Sequence, residues 1–125
     1  MDKIKILIID DSTTNNMLVS SILTEEEGFE VLIANSAKKA LEILGQDDSI
    51  NLILLDLMMP VTDGFELLEI LKKNNDTKDI PVIIVSARVK SVDVKKGLEL
   101  GAVDYIKKPI IIKNLIDKIH KVLKF

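Results

Sequence analysis

The sequence predicts a doubly wound α/β domain, a five-stranded parallel sheet with helices on both faces. Three observations point there. Short apolar runs alternate with segments of helical spacing, (βα) five times over. The runs are nearly all apolar, as strands covered on both faces are. The 125 residues suffice for one core of this kind, so a single domain over 1–125 is expected. Parallel strands joined by right-handed crossovers make the doubly wound arrangement the economical one.

The first strand is expected at Lys5–Ile9, and the first helix between Thr13 and Glu27. Met17, Leu18, Ser21 and Ile22 mark that helix, Ser12 or Thr13 caps it, and Gly28 ends it. A second strand at Glu30–Ala34 leads to a helix marked by Ala37, Ala40, Leu41 and Leu44. Asn35 or Ser36 is its cap, and Gly45 stands near its stop. The third strand, Leu52–Leu55, ends at Asp56 and should turn at Pro60. Phe65, Leu68 and Leu71 mark the next helix, capped by Thr62 or Asp63. Strand four is Val82–Val85, followed by a helix marked by Val94 and Leu98, with Gly101 after it. Strand five is Val103–Ile106. The last helix carries Leu115, Ile116, Ile119, Val122 and Leu123, and no Ser, Thr or Asp stands at its start, a cost of about 1 kcal/mol.

Composition narrows the function classes. With 47% apolar and 30% charged residues, the chain reads as a globular protein, and at 3% aromatics its core must be Ile, Leu and Val. There is no cysteine, which excludes disulfides, thiolate nucleophiles and Cys-ligated metals. No apolar run approaches the ~20 residues of a membrane span, and the first one (Ile4 to Ile9) is too short for a signal peptide. A cytoplasmic protein without a membrane partner is expected. The net charge of −3 and scattered lysines, such as Lys38-Lys39 and Lys72-Lys73, argue against direct nucleic-acid binding.

In open parallel sheets the functional crevice lies at the carboxyl ends of the strands. Here those ends carry Asp10-Asp11, Asp56, Ser86 and Lys107-Lys108-Pro109. Two carboxylates at ~5 Å repel by roughly 3 kcal/mol at an effective dielectric of ~20. Three acids at neighbouring strand ends therefore need a cation among them or a shared proton. Oxygen-only ligation suits Mg²⁺. A metal ion, the Lys108 ammonium and the Ser86 hydroxyl beside a carboxylate are what phosphoryl transfer needs, and Asp56 is the expected nucleophile. Each residue alone also has a plain reading: an Asp before a turn, a helix N-terminus, a surface Lys-Lys-Pro. Their joint occurrence at successive strand ends is what points to a site.

The pieces "LIIDDS", "LILLDLMMPVTDG", "PVIIVSA" and "GAVDYIKKPI" together resemble the receiver domain of two-component response regulators over nearly the whole chain. That resemblance implies the flavodoxin-like strand order 2-1-3-4-5. It makes Asp56 the phosphorylation site, fed from a phosphohistidine on a histidine kinase or phosphotransfer protein. It has Asp11, Asp56 and the backbone carbonyl of Met58 bind Mg²⁺, with Asp10 acting through a metal-bound water. It gives Lys108 a phosphoryl contact, a typically cis Lys108–Pro109 bond, and the switch to Ser86 and Tyr105. Met58 and Arg88 flank the site as modulators of phosphoryl lifetime, although Arg88 also reads as a solvated loop residue. The face of the fourth helix, fifth strand and fifth helix would respond, through a partner, an output domain or a phosphorylation-dependent homodimer. Ile111 is a candidate contact there. His120 is expected to be an exposed helix residue.

Such a domain catalyses only its own phosphorylation and dephosphorylation. Three other readings compete. A Mg²⁺-dependent phosphohydrolase would want a second acid two residues after the nucleophile, where Met58 stands. A flavodoxin-like electron carrier would not place Asp10 and Asp11 in its phosphate loop. A degenerate binding module would not need the full acidic, Ser and Lys set.

Overall fold

We describe residues 3–59, 63–88 and 90–124 of a computed structural model. The order of elements is β1 (Lys5–Ile9), α1 (Thr13–Glu27), β2 (Glu30–Ala34), α2 (Ala37–Gln46), β3 (Leu52–Leu55), α3 (Gly64–Lys73), β4 (Val82–Ser86), α4 (Ser91–Glu99), β5 (Asp104–Lys107) and α5 (Ile112–Leu123). All strand pairs are parallel and the sheet order is β2-β1-β3-β4-β5. This is the expected doubly wound, flavodoxin-like α/β fold.

The two-residue period of the strands divides the core in two. Ile6, Ile8, Leu52, Leu54, Ile83 and Val85 meet α1 and α5 on one face through Val19, Leu23, Leu115 and Ile119. Leu7, Ile9, Ile53, Leu55, Val82 and Ile84 meet α2 and α3 on the other through Ala40, Leu44, Leu68 and Leu71. The three inner strands are buried on both sides, so their carboxyl ends are held by the core.

Ser12 caps α1 by accepting the Asn15 N–H, and Gly28 closes it in the left-handed conformation at φ 70°. Ser36 caps α2 and Asp63 caps α3. The alternative cap Thr62 and the turn at Pro60 lie outside the described residues. The α5 N-cap, Ile111, makes no side-chain cap bond, as its sequence implies.

Several expectations need correction. In α1, Met17 and Leu18 are 64% and 57% exposed; the inward stripe is Asn16, Val19 and Leu23. The helix has more apolar residues than one buried stripe can hold. Leu41 is exposed for the same reason, whereas Leu98 is exposed because α4 turns Asp93 and Gly97 inward. A Cβ on Gly97 would stand 2.5 Å from Ile84 Cδ1, so a bare backbone lets α4 approach the sheet. Gly45 does stand near the stop of α2, which ends one residue later at Gln46 before Asp47 turns to extended backbone. Strand β4 includes Ser86, and β5 starts one residue later than expected, because Ser86 pairs with Lys107 in the ladder. His120 is half-buried on α5 and pairs with Glu27 of α1.

Lys5 bridges Asp47 at 2.8 Å and Glu30 at 3.2 Å, fastening β1 to the α2–β3 loop. The hydrogen bond from Lys5, then those from Ser49, hold the Asp47 carboxyl down at about 2 against an ordinary 3.8. A depressed acid stabilises the fold above its unfolded value and loses that contribution as pH falls through its folded one. Asp47 should therefore protonate near pH 2 in a carboxyl NMR titration. Lys5→Met should return the midpoint toward 3.8, and an unmoved midpoint would contradict the assignment.

Candidate functional site

Strand β1 delivers Asp10 into a nearly closed position. Its Oδ1 accepts the Ser12 N–H at 2.9 Å, and its Oδ2 accepts from Asn15 Nδ2 at 3.1 Å and Lys108 Nζ at 2.7 Å. The Asn16 amide donates to the Asp10 carbonyl at 2.7 Å, which explains why a polar residue occupies the buried stripe of α1. Asp11, next along, is exposed.

Strand β3 delivers Asp56, only 5% exposed. Its N–H donates to the Ile9 carbonyl at 2.9 Å, continuing the sheet. Its Oδ1 accepts the Met58 N–H at 3.1 Å and its Oδ2 accepts from Lys108 Nζ at 3.1 Å. The lone acid at the end of an apolar strand is thus a carboxylate held at the rim of the core by its own loop and by Lys108.

Asp10, Asp11 and Asp56 each offer an oxygen, all within 4.8 Å of one another. Three carboxylates less one ammonium leave two negative charges. Asp11 takes no hydrogen bond or ion pair among the described residues. An all-oxygen cluster carrying two uncompensated charges fits a hard divalent cation. For Lys108, burial pulls the ammonium's pKa down, but hydrogen bonds and charge attraction from Asp10 and Asp56 outweigh it and push the net value up. The ammonium therefore stays charged at neutral pH. The Lys108–Pro109 bond is cis, and the Lys108 N–H donates to the Ser86 carbonyl at 2.9 Å, which ties the β4 and β5 ends together.

Ser86 is fully buried, and its Oγ accepts the Arg88 N–H at 3.1 Å. Tyr105 is half-buried and donates its hydroxyl to the Arg88 carbonyl. Burial, followed by the charge of Asp93, raises the Tyr105 pKa above 10.0, so it remains a donor. Met58 is exposed, and it lines a cleft with Leu57, Met59, Asp63 and Arg88. Arg88 is an exposed loop residue, as its plain reading has it, but its side chain is partnered. Its Nε meets Asp93 Oδ1 at 3.0 Å and its guanidinium covers the Phe65 ring at 5.1 Å from the centroid. Neither Asp93 nor Phe65 stood out in the sequence, where one reads as a first-turn acid and the other as core.

The profile of the response regulator receiver domain matches residues 6–120. The chain belongs to this family. Phosphorylation of an aspartate and use of Mg²⁺ are standard for receiver domains. The receiver is 42% identical over 120 residues to the transcriptional regulatory protein CpxR of Escherichia coli K12, covering 96% of this chain and 49% of CpxR. It is 37% identical over 105 residues to the two-component response regulator ORR5 of Oryza sativa subsp. japonica, covering 84% of this chain and 78% of ORR5. It spans about half the length of the CpxR relatives it matches. Among solved structures, it superposes on a CheY-like receiver domain protein from Methanospirillum hungatei JF-1 with a TM-score of 0.89, at 33% identity and coverage of 98% and 95%. The Francisella response regulator 1452 receiver domain matches with a TM-score of 0.88, at 34% identity and 98% coverage of both chains. Among the described residues no helix is long and apolar enough to cross a membrane.

Proposed function

We propose that this receiver, acting as one unit over 1–125, takes a phosphoryl group onto Asp56 from a phosphohistidine of a histidine kinase or phosphotransfer protein. The observation that carries the reading is the Lys108 ammonium shared between Asp10 and Asp56 at 2.7 and 3.1 Å, beside the unpartnered Asp11. An Asp56 carboxylate oxygen forms a bond to phosphorus as the phosphorus–nitrogen bond of the donor breaks, and the imidazole nitrogen keeps the electron pair. Lys108 neutralises charge on the phosphoryl oxygens, and the Ser86 hydroxyl donates to one of them. Hydrolysis reverses the state: water bonds to phosphorus, the Asp56 oxygen leaves with its electron pair, and phosphate departs. The domain catalyses no turnover of a separate substrate.

Mg²⁺ would be held by Asp11, Asp56 and the Met58 carbonyl, with Asp10 reaching it through water. When bound it supplies charge neutralisation to the oxygens around phosphorus. Met58 and Arg88, which line a cleft with Met59, Asp63 and Leu57, the residue next to Asp56 in the chain, set how freely water reaches the phosphoryl group. A new dianion on Asp56 draws Ser86 and Lys108 toward it, and Tyr105 follows the β4–α4 loop. The face of α4, β5 and α5 then changes its partner preference, including toward a second copy of the chain.

Beryllofluoride, a phosphoryl mimic, tests this directly. With Mg²⁺ it should shift the amide NMR signals of Asp56, Ser86 and Lys108 saturably, and Asp56→Asn should abolish the shifts. Unchanged spectra for the native chain would count against the site. Ile111, 62% exposed before α5, should matter for self-association. In the same samples Ile111→Ser should weaken any beryllofluoride-induced dimer seen by sedimentation, and an unaltered dimer would remove it from the interface.

A further inference from the structure

Arg88 is where four parts of the molecule meet. Its N–H donates to Ser86 Oγ at 3.1 Å, and its carbonyl accepts the Tyr105 hydroxyl. Its side chain binds Asp93 of α4 at 3.0 Å and lies over Phe65 of α3 at 5.1 Å. Lys96 of α4 stands over the same ring at 4.6 Å.

Asp93 is buried, and Arg88 is its ion-pair partner. A buried carboxylate is costly unless paired, so Asp93 holds the arginine firmly. No side chain caps α4, whose N-cap is Lys90. Asp93, in the first turn, thus also places negative charge near the free N–H groups of that helix. Phe65 follows Gly64, which abuts the Asp56–Leu57 backbone. One aromatic ring thereby connects the phosphoryl loop, Arg88 and α4.

We propose that Asp93 and Phe65 are positioning residues for the switch: they fix the Arg88 side chain and, through it, the two peptide groups that orient Ser86 and hold Tyr105. Ser86 accepts the Arg88 N–H and also hydrogen-bonds the Tyr105 side chain, and its hydroxyl hydrogen turns to a phosphoryl oxygen when one is present. Loosening Arg88 weakens the hold on that oxygen and frees the tyrosine together. The proposal rests on Asp56 as phosphoacceptor.

The chain has one tyrosine, so the tyrosine ring signals in an NMR spectrum belong to Tyr105. Native chain, Asp93→Asn, Asp93→Glu and Phe65→Leu are titrated with beryllofluoride and Mg²⁺. Phosphorylation by acetyl phosphate is followed in parallel by intact mass. Asp93→Asn and Phe65→Leu should raise the beryllofluoride midpoint about fivefold, at the lower end of ordinary coupling between sites. Both should move the ring signals toward those of an exposed tyrosine while Asp56 still becomes phosphorylated, and Asp93→Glu should recover much of the change. Native midpoints and ring positions in both variants would overturn the proposal. So would a raised midpoint with an unmoved ring, which is what a merely structural role gives. If Asp93→Asn does not fold, Phe65→Leu decides by the same readings. A native chain that takes up neither beryllofluoride nor a phosphoryl group removes the Asp56 reading, and this proposal with it.

Discussion

Replacing Lys108 with methionine should slow phosphorylation by acetyl phosphate about 10²–10³-fold, the usual effect of removing one group that stabilises transition-state charge. The fold should suffer too. Lys108 bridges Asp10 at 2.7 Å and Asp56 at 3.1 Å, and both acids are buried. Removing one partner of a buried ion pair costs up to about 3–5 kcal/mol. Asp11 opens this cluster to water, so about 2 kcal/mol is expected here. The metal dependence should move the other way. With the ammonium gone, three negative charges remain for a divalent ion to neutralise, so the variant should bind Mg²⁺ more tightly than the native chain. Added Mg²⁺ should then narrow the melting-temperature gap between the two proteins. A variant phosphorylated at the native rate would show that Lys108 only balances charge.

Gly64→Ala should be the most damaging small substitution. A Cβ there would stand 2.4 Å from Leu57 Cα and 2.8 Å from the Asp56 carbonyl oxygen. Both are backbone atoms of the loop that carries Asp56, and Gly64 also donates its N–H to the Leu57 carbonyl at 3.1 Å. Either α3 backs away from the sheet or Asp56 shifts, so a loss of about 3 kcal/mol is expected, with slower phosphorylation. Gly45 supplies the control. It lies inside α2, and a Cβ added there would meet nothing within 4 Å, so Gly45→Ala should stabilise by about 0.5–1 kcal/mol. Urea melts of both variants give the comparison, and equal effects would contradict the close-approach account.

The sheet was legible because strands buried on both faces are written as unbroken apolar runs, and "LILL" before Asp56 cannot belong to a solvated edge. The site was legible because its acids and lysine stand at strand ends, where sequence position already fixes place. Helix faces were less so. In α1, Met17 and Leu18 look as inward as Val19 and Leu23. The rotation is set by contacts between elements, the core packing of Val19 and Leu23 and the bond from Asn16 to the Asp10 carbonyl. The same holds at α4, where Gly97 faces the sheet because of what it lacks. The surroundings of Arg88 were hidden for another reason. Its partners Asp93 and Phe65 come from different helices, and no local spacing brings them together.

The most direct measurement is the intact mass of the native chain and of Asp56→Asn after incubation with acetyl phosphate, each with and without Mg²⁺. One added phosphoryl group on the native chain, present only with Mg²⁺ and missing from Asp56→Asn, is the result this account predicts. The same adduct on Asp56→Asn, or on the native chain after chelation, would contradict it.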